Sequence, residues 1–140
     1  MLMMLKIEHI GIAVRDLEEA TARYELLFGI KPYKTELVES EGVKTVFFQL
    51  ANNKIELLAA INDHSPIMKF INIKGEGIHH IAYAVENIHK EMKRLSSLGF
   101  RLLNENPKHG ADNKLVCFIH PASAGGVLIE LCQDVEEAAD

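Results

Sequence analysis

Hydrophobic and polar positions along the chain fall into two rhythms, and the same pair of rhythms occurs twice. Between His9 and Val14, Ile10, Ile12 and Val14 alternate with His9, Gly11 and Ala13, the period-two pattern of a strand with two unlike faces. Asp16 then stands where a helix N-cap is expected, with Glu19 at capping-box spacing. Leu17, Ala20, Tyr24 and Leu27 follow at helical intervals, and Gly29 suits the helix end. The segment returns 71 positions later as His80-Ile81-Ala82-Tyr83-Ala84-Val85, so both copies read H-I-x-x-A-V. Asn87 is the second cap, Ile88, Met92, Leu95 and Leu98 the second helical stripe, and Gly99 the second stop. Strand-like runs come next: Lys44–Leu50 and Ile55–Ala60 in the first copy, and Phe100–Leu103, Lys114–His120 and Val127–Leu131 in the second. Each half therefore reads as β-α-β-β-β. Two copies of a 70-residue unit make a duplicated module rather than a solenoid.

The predicted modules span about residues 6–61 and 77–133, within a single domain of 140 residues. The linker, residues 62–76, carries a helix of its own. Ser65-Pro66 gives an N-cap with proline in the first turn, Ile67, Phe70 and Ile71 an apolar stripe, and Gly75-Glu76-Gly77 a stop.

Composition narrows the partners. Hydrophobic residues at 48% and charged residues at 25% describe a globular chain, and a net charge of −5 argues against nucleic acid. No run of 18 apolar residues is present, so no membrane span is expected. The N-terminus has no basic region ahead of its apolar residues, which points to a cytoplasmic protein with Cys117 and Cys132 as reduced thiols.

The chemistry lies in what the duplication copied. The last strand of each half carries one carboxylate between aliphatic neighbours, Glu56 and Glu130. His9 precedes Glu56 by 47 positions and His80 precedes Glu130 by 50. Strand alternation puts each histidine on a face otherwise lined by small residues: Gly11 and Ala13, or Ala82 and Ala84. An inward carboxylate is costly unless paired or bound to a cation. Two imidazoles and two carboxylates meeting on one concave sheet suit a divalent ion such as zinc, cobalt, nickel, iron or manganese. His79 faces away from His80 and is expected to be structural or to support the site from behind. His64, His89, His109 and His120 have no repeat partner and carry low expectation of a role.

With these residues in place the chain resembles the vicinal oxygen chelate (glyoxalase/bleomycin resistance/dioxygenase) superfamily. Within it, it is similar to the methylmalonyl-CoA epimerases. The likeness rests on His9–Val14 with Asp16-Leu17, on Lys54–Leu58, on Ser65-Pro66-Ile67, on Gly75–Ala82 and on His120-Pro121 with Gly125–Leu131. It implies an α+β fold in which two tandem modules form a curved, cup-shaped mixed sheet with helices outside. It implies a cobalt-, manganese-, nickel- or zinc-type ion held by His9, Glu56, His80 and Glu130, an acyl-CoA thioester as substrate, and a homodimer. The implied activity is an isomerase's: C2 of a 2-methylmalonyl thioester loses its proton, a metal-stabilised enolate forms, and the proton returns to the opposite face. Glu130 and Glu56 are the candidate proton carriers, Glu130 foremost.

The sequence departs from that pattern twice. Thr45 stands where some epimerases carry a further glutamate, and Ala122 where many have lysine. Lys108 and Lys114 are the substitutes considered for binding coenzyme A phosphates. Two alternatives stay open: a glyoxalase I-type lyase acting on a hemithioacetal, which needs the same ligands, and a non-catalytic ligand-binding module of the same fold.

Overall fold

Alternating strands and capped amphipathic helices assemble much as the two rhythms predict. The structure, a computed structural model, describes residues 4–135. Its first module runs β1 (Met4–Ala13), α1 (Leu17–Phe28), β2 (Lys34–Val38), β3 (Val43–Leu50) and β4 (Asn53–Ala60). The linker helix α2 (Pro66–Lys74) follows. The second module runs β5 (Gly77–Val85), α3 (Ile88–Ser97), β6 (Lys108–His109), β7 (Lys114–Ile119) and β8 (Ile129–Asp134). The fold is α+β, with two β-α-β-β-β modules and mixed strand pairing. No helix among the described residues is long and apolar enough to cross a membrane.

The caps form where the sequence places them. The Asp16 side chain accepts from the Glu19 N–H, and Asn87 accepts from Lys90 N–H at the equivalent place. Glu19 does not close the capping box; its carboxylate accepts from Arg23 one turn on. Ser65 caps α2 through the Ile67 N–H. Replacing Asp16 by Ala leaves that N–H without its partner. Thermal or denaturant unfolding should show a loss of about 1 kcal/mol with no change in metal affinity.

Two segments differ from expectation. Phe100–Leu103 is not a strand: it makes one isolated bridge, Leu102 to Ile119. The reason is local. The Asn104 side chain takes the Phe118 N–H that a continuing strand would have used, and the short β6 forms further on, at Lys108–His109. In the other direction, β2 had no signal to find. It is half-exposed along most of its length and pairs only with β3, so it lacks a clean apolar face.

By internal contacts the chain divides into two units, His9–His80 and, among described residues, 4–8 with 81–135. The divisions fall inside β1 and β5, and α2 belongs to the first unit. In that unit β1 pairs parallel with β4, and β4 and β2 flank β3 antiparallel. Val14, Ala20, Val46, Phe48, Leu57 and Ala59 form its core, with Leu17, Tyr24 and Phe28 of α1 against it. Ile55 and Leu57 thus turn toward α1, as the alternation requires, leaving Glu56 on the opposite face. In the other unit β5 pairs parallel with β8 and β7 lies antiparallel between β8 and β6. Its core joins Val85, Ile88, Met92, Leu95, Cys117, Ile119 and Leu131.

The registers of the two modules match. Glu56 sits opposite Gly11 on β1 and Phe47 on β3. Glu130 sits opposite Ala82 on β5 and Phe118 on β7. Gly11 and Ala82 each lie two positions after their histidine, and Phe47 and Phe118 are 71 positions apart, like the histidines. The glutamates fall out of step by three because Phe47 to Glu56 is 9 residues and Phe118 to Glu130 is 12. The extra residues lie in the β7–β8 connection, which makes a short 3-10 turn at Pro121–Ala124.

Candidate metal centre

Three strands of the first unit each bring one polar side chain to the same place. β1 supplies His9, β4 supplies Glu56, and the start of β5 supplies His80. All three are buried, at 5%, 4% and 2% exposure, too little for water to solvate them. The Nε2 atoms of His9 and His80 lie 3.0 Å apart. Glu56 Oε1 is 3.5 Å from His9 Nε2 and 3.4 Å from His80 Nε2. These three donor atoms form a group able to hold a metal ion.

The spacing fits a cation. Two donors each about 2.1 Å from one ion stand about 3.0 Å apart at a right angle and about 3.4 Å apart at the tetrahedral angle. Two of the observed separations, 3.0 and 3.4 Å, fall in that range, and the third, 3.5 Å, lies just above it. Two neutral imidazoles and one carboxylate also match the preferences of zinc and its first-row neighbours. A buried carboxylate needs a positive partner, and an ion here would supply it.

The small residue beside His9 has a definite purpose. Room on that face was expected from Gly11, and the structure shows that the His80 ring fills it. A Cβ on Gly11 would lie 2.1 Å from His80 Cε1 and 2.5 Å from Nδ1, inside any permitted contact. Gly11 is therefore required by the packing of the histidine.

His79, on the other side of β5, touches the site through its neighbour. Its Nδ1 lies 2.9 Å from His80 Nδ1. Its ring meets Phe70 of α2 edge-on, with centroids 4.9 Å apart. Burial, then the neighbouring His80 and Lys74, push its pKa down to about 3, so it remains neutral in all but strongly acidic solution.

Phe47 is a site residue that pattern reading missed. It is 1% exposed, opposite Glu56, with its ring perpendicular to that of His9 at 6.3 Å. Tyr33 stacks on it at 5.9 Å, and Lys54 Nζ lies over the Tyr33 ring at 5.9 Å. The signal was present: Phe47 and Phe118 share the 71-residue offset of the histidines, but phenylalanine in a strand reads as core.

The remaining candidates can be placed individually. Glu130 is 7% exposed on β8, in the other unit. Thr45 is fully buried on β3, its hydroxyl donating to the Glu36 carbonyl at 3.5 Å, so no carboxylate stands at that position. Lys114 is paired with Asp134, and the Lys108 ammonium lies 5.7 Å over the Phe118 ring. Cys117 and Cys132 are both buried free thiols. Burial pushes the Cys117 thiol pKa up, the reverse of what a nucleophile needs. His120 uses its Nδ1 to accept the Ala122 N–H and so caps the 3-10 turn.

Residues 8–118 match the sequence profile of the Glyoxalase/Bleomycin resistance protein/Dioxygenase superfamily. This chain belongs to that superfamily. Among its relatives, the uncharacterized protein YqjC of Bacillus subtilis is 36% identical over 130 residues, 93% of each chain. An ethylmalonyl-CoA/methylmalonyl-CoA epimerase of Cereibacter sphaeroides is 42% identical over 131 residues, 91% of this chain and 97% of that one. Of solved structures, a variant of Streptomyces coelicolor methylmalonyl-CoA epimerase in complex with 2-nitronate-propionyl-CoA superposes with a TM-score of 0.92. It shares 27% identity and covers 98% of this chain and 99% of its own. The matched residues include His9, Glu56 and His80, the three side chains brought together in the first unit.

Proposed function

We propose that this protein is a divalent-metal-dependent isomerase that epimerises a 2-methylmalonyl-CoA-type thioester at C2. The observation that carries the metal-dependent part is the convergence of His9 Nε2, His80 Nε2 and Glu56 Oε1 in a buried cluster. The substrate class is supported by the Cereibacter sphaeroides epimerase, similar over nearly its whole length, and by the acyl-CoA analogue bound in the Streptomyces coelicolor structure.

On this reading His9, Glu56 and His80 hold the ion, and the sequence repeat assigns Glu130 as the fourth ligand. When bound, the ion supplies a Lewis acid for the negative charge that develops on the substrate's carbonyl oxygen. The residues of the chain do the rest. C2 of such a thioester lies between two carbonyl groups, so a positioned carboxylate can remove its proton once the charge that develops is stabilised. A glutamate takes that proton while the C–H electron pair moves into the thioester carbonyl. A second group returns a proton to the opposite face, and the charges balance without an oxidant or a further reactant. Glu130 and Glu56 are the carboxylates proposed for these transfers, Thr45 having none to offer. Phe47, packed edge-on to His9, restricts water beside the cluster and strengthens its electrostatics.

The test is isotope entry. The metal-loaded protein is incubated with one epimer of methylmalonyl-CoA in deuterium oxide, and C2 is followed by NMR or mass spectrometry. Methylglyoxal with glutathione runs in parallel. Deuterium wash-in with conversion to the other epimer is the expected result. Turnover of the hemithioacetal alone transfers the chain to the lyase class, and inactivity with both leaves a binding module.

A further inference from the structure

We infer that His79 is a positioning residue that fixes the tautomer and ring orientation of His80 by accepting the hydrogen on His80 Nδ1. The inference rests on the reading of His9, Glu56 and His80 as a metal centre and names what holds one of its ligands in place.

A neutral imidazole carries one N–H. His80 turns its Nε2 toward His9 and Glu56, so ligation there requires a free lone pair on Nε2 and places the hydrogen on Nδ1. A buried Nδ1–H needs an acceptor. The nitrogen found 2.9 Å away is His79 Nδ1. That atom accepts only if His79 carries its own hydrogen on Nε2. The two rings are nearly perpendicular, at 89°, so the contact is made at their ring edges rather than by stacking.

His79 is itself held. The Phe70 ring meets it edge-on at 86°, and the Lys74 ammonium lies over the Phe70 ring at 5.8 Å. Both come from α2, the linker helix, whose Ser65 cap and Pro66 start fix where its first turn begins. A continuous set of contacts therefore runs from α2 through Phe70 and His79 to the ligand ring. Gly11 closes the set from the opposite side, because the His80 ring rests against its backbone. Metal-ligating histidines are commonly oriented by an acceptor on the second nitrogen, and loss of such a partner typically costs 10–100-fold in affinity. Here the acceptor is the adjacent residue on the same strand, held by the helix that joins the modules.

Two measurements test this. The first uses the unaltered protein, labelled with 15N and loaded with zinc. His80 should show its ring hydrogen on Nδ1, with a nitrogen–nitrogen coupling across the hydrogen bond to His79 Nδ1. A hydrogen on His80 Nε2, or no coupling, overturns the inference. The second compares zinc affinity, by chelator competition, in His79→Leu and His79→Asn. Leucine fills the space without an acceptor, while the asparagine amide oxygen falls near the position of Nδ1. His79→Leu is expected to bind zinc about 10–100-fold more weakly, and His79→Asn to recover most of the loss. Wild-type affinity in His79→Leu, or equal losses in both variants, overturns the acceptor role. Should the wild-type protein itself take up no zinc, cobalt or manganese, the metal-centre reading fails first and this inference with it. That result is distinct from a wild type that binds and a leucine variant that binds equally well.

Discussion

Gly11→Ala is expected to abolish metal binding and proton exchange while leaving most of the fold standing. Gly11 lies within β1, where alanine meets no backbone obstacle, so the whole effect comes from the added methyl group. That group would lie 2.1–2.7 Å from three atoms of the His80 ring. The ring cannot give way freely, since His9 Nε2 is 3.0 Å from one nitrogen and His79 Nδ1 is 2.9 Å from the other. Overpacking of a close-packed interior costs about 1–3 kcal/mol, tolerable for a domain of this size. A ligand array tolerates far less displacement, about 0.5 Å, before its geometry is lost. Titration with zinc or cobalt should show affinity reduced by more than about 100-fold, beyond the range for loss of a supporting contact. Gly29→Ala is the control. It places alanine in left-handed backbone at φ 70° with nothing within 4 Å, costing about 1–2 kcal/mol in stability but no metal affinity. Equal metal binding by Gly11→Ala and wild type would show that the cluster is not arranged as described.

Glu56→Gln should be as damaging for a different reason. The amide matches the carboxylate in size, so the packing of β4 against β1 and β3 is retained. It removes the one negative charge among the three clustered donors, and with it much of the attraction for a divalent ion. In the wild type, metal at 1,000 times its Kd should stabilise the fold by about 4 kcal/mol. Glu56→Gln should lose that rise in melting temperature and, on the proposed function, deuterium exchange at C2. The same pair of measurements on Glu130→Gln separates its two proposed roles. Loss of both metal-dependent stabilisation and exchange marks a ligand, whereas loss of exchange alone marks a proton carrier.

How much of this was legible depends on the range of the interaction involved. Asp16, Asn87 and Ser65 cap through N–H groups two or three residues away, so a local reading could find them. The clustering of His9, His80 and Glu56 was legible because duplication wrote the histidine and glutamate pattern twice. Phe47 was equally repeated, yet its residue type is common in cores, and only its packing against His9 separates it from them. Lys114 pairs with Asp134, 20 residues away on the neighbouring strand, a contact that depends on strand register and has no local signal. Phe100–Leu103 had the composition of a strand, but the Asn104 side chain took a ladder hydrogen bond.

The sequence by itself determined the two modules, their caps, the linker helix and the strand face on which each ligand candidate stands. These follow from periods of two and 3.6 residues and from short-range hydrogen bonds, which act along the chain. Only the tertiary structure decided that His80 packs on Gly11, that His79 meets His80 edge-on beneath Phe70, and that Glu56 Oε1 lies between two imidazoles. Those facts depend on strand register and on ring positions fixed to a fraction of an ångström among residues up to 71 apart, and no local pattern carries that information.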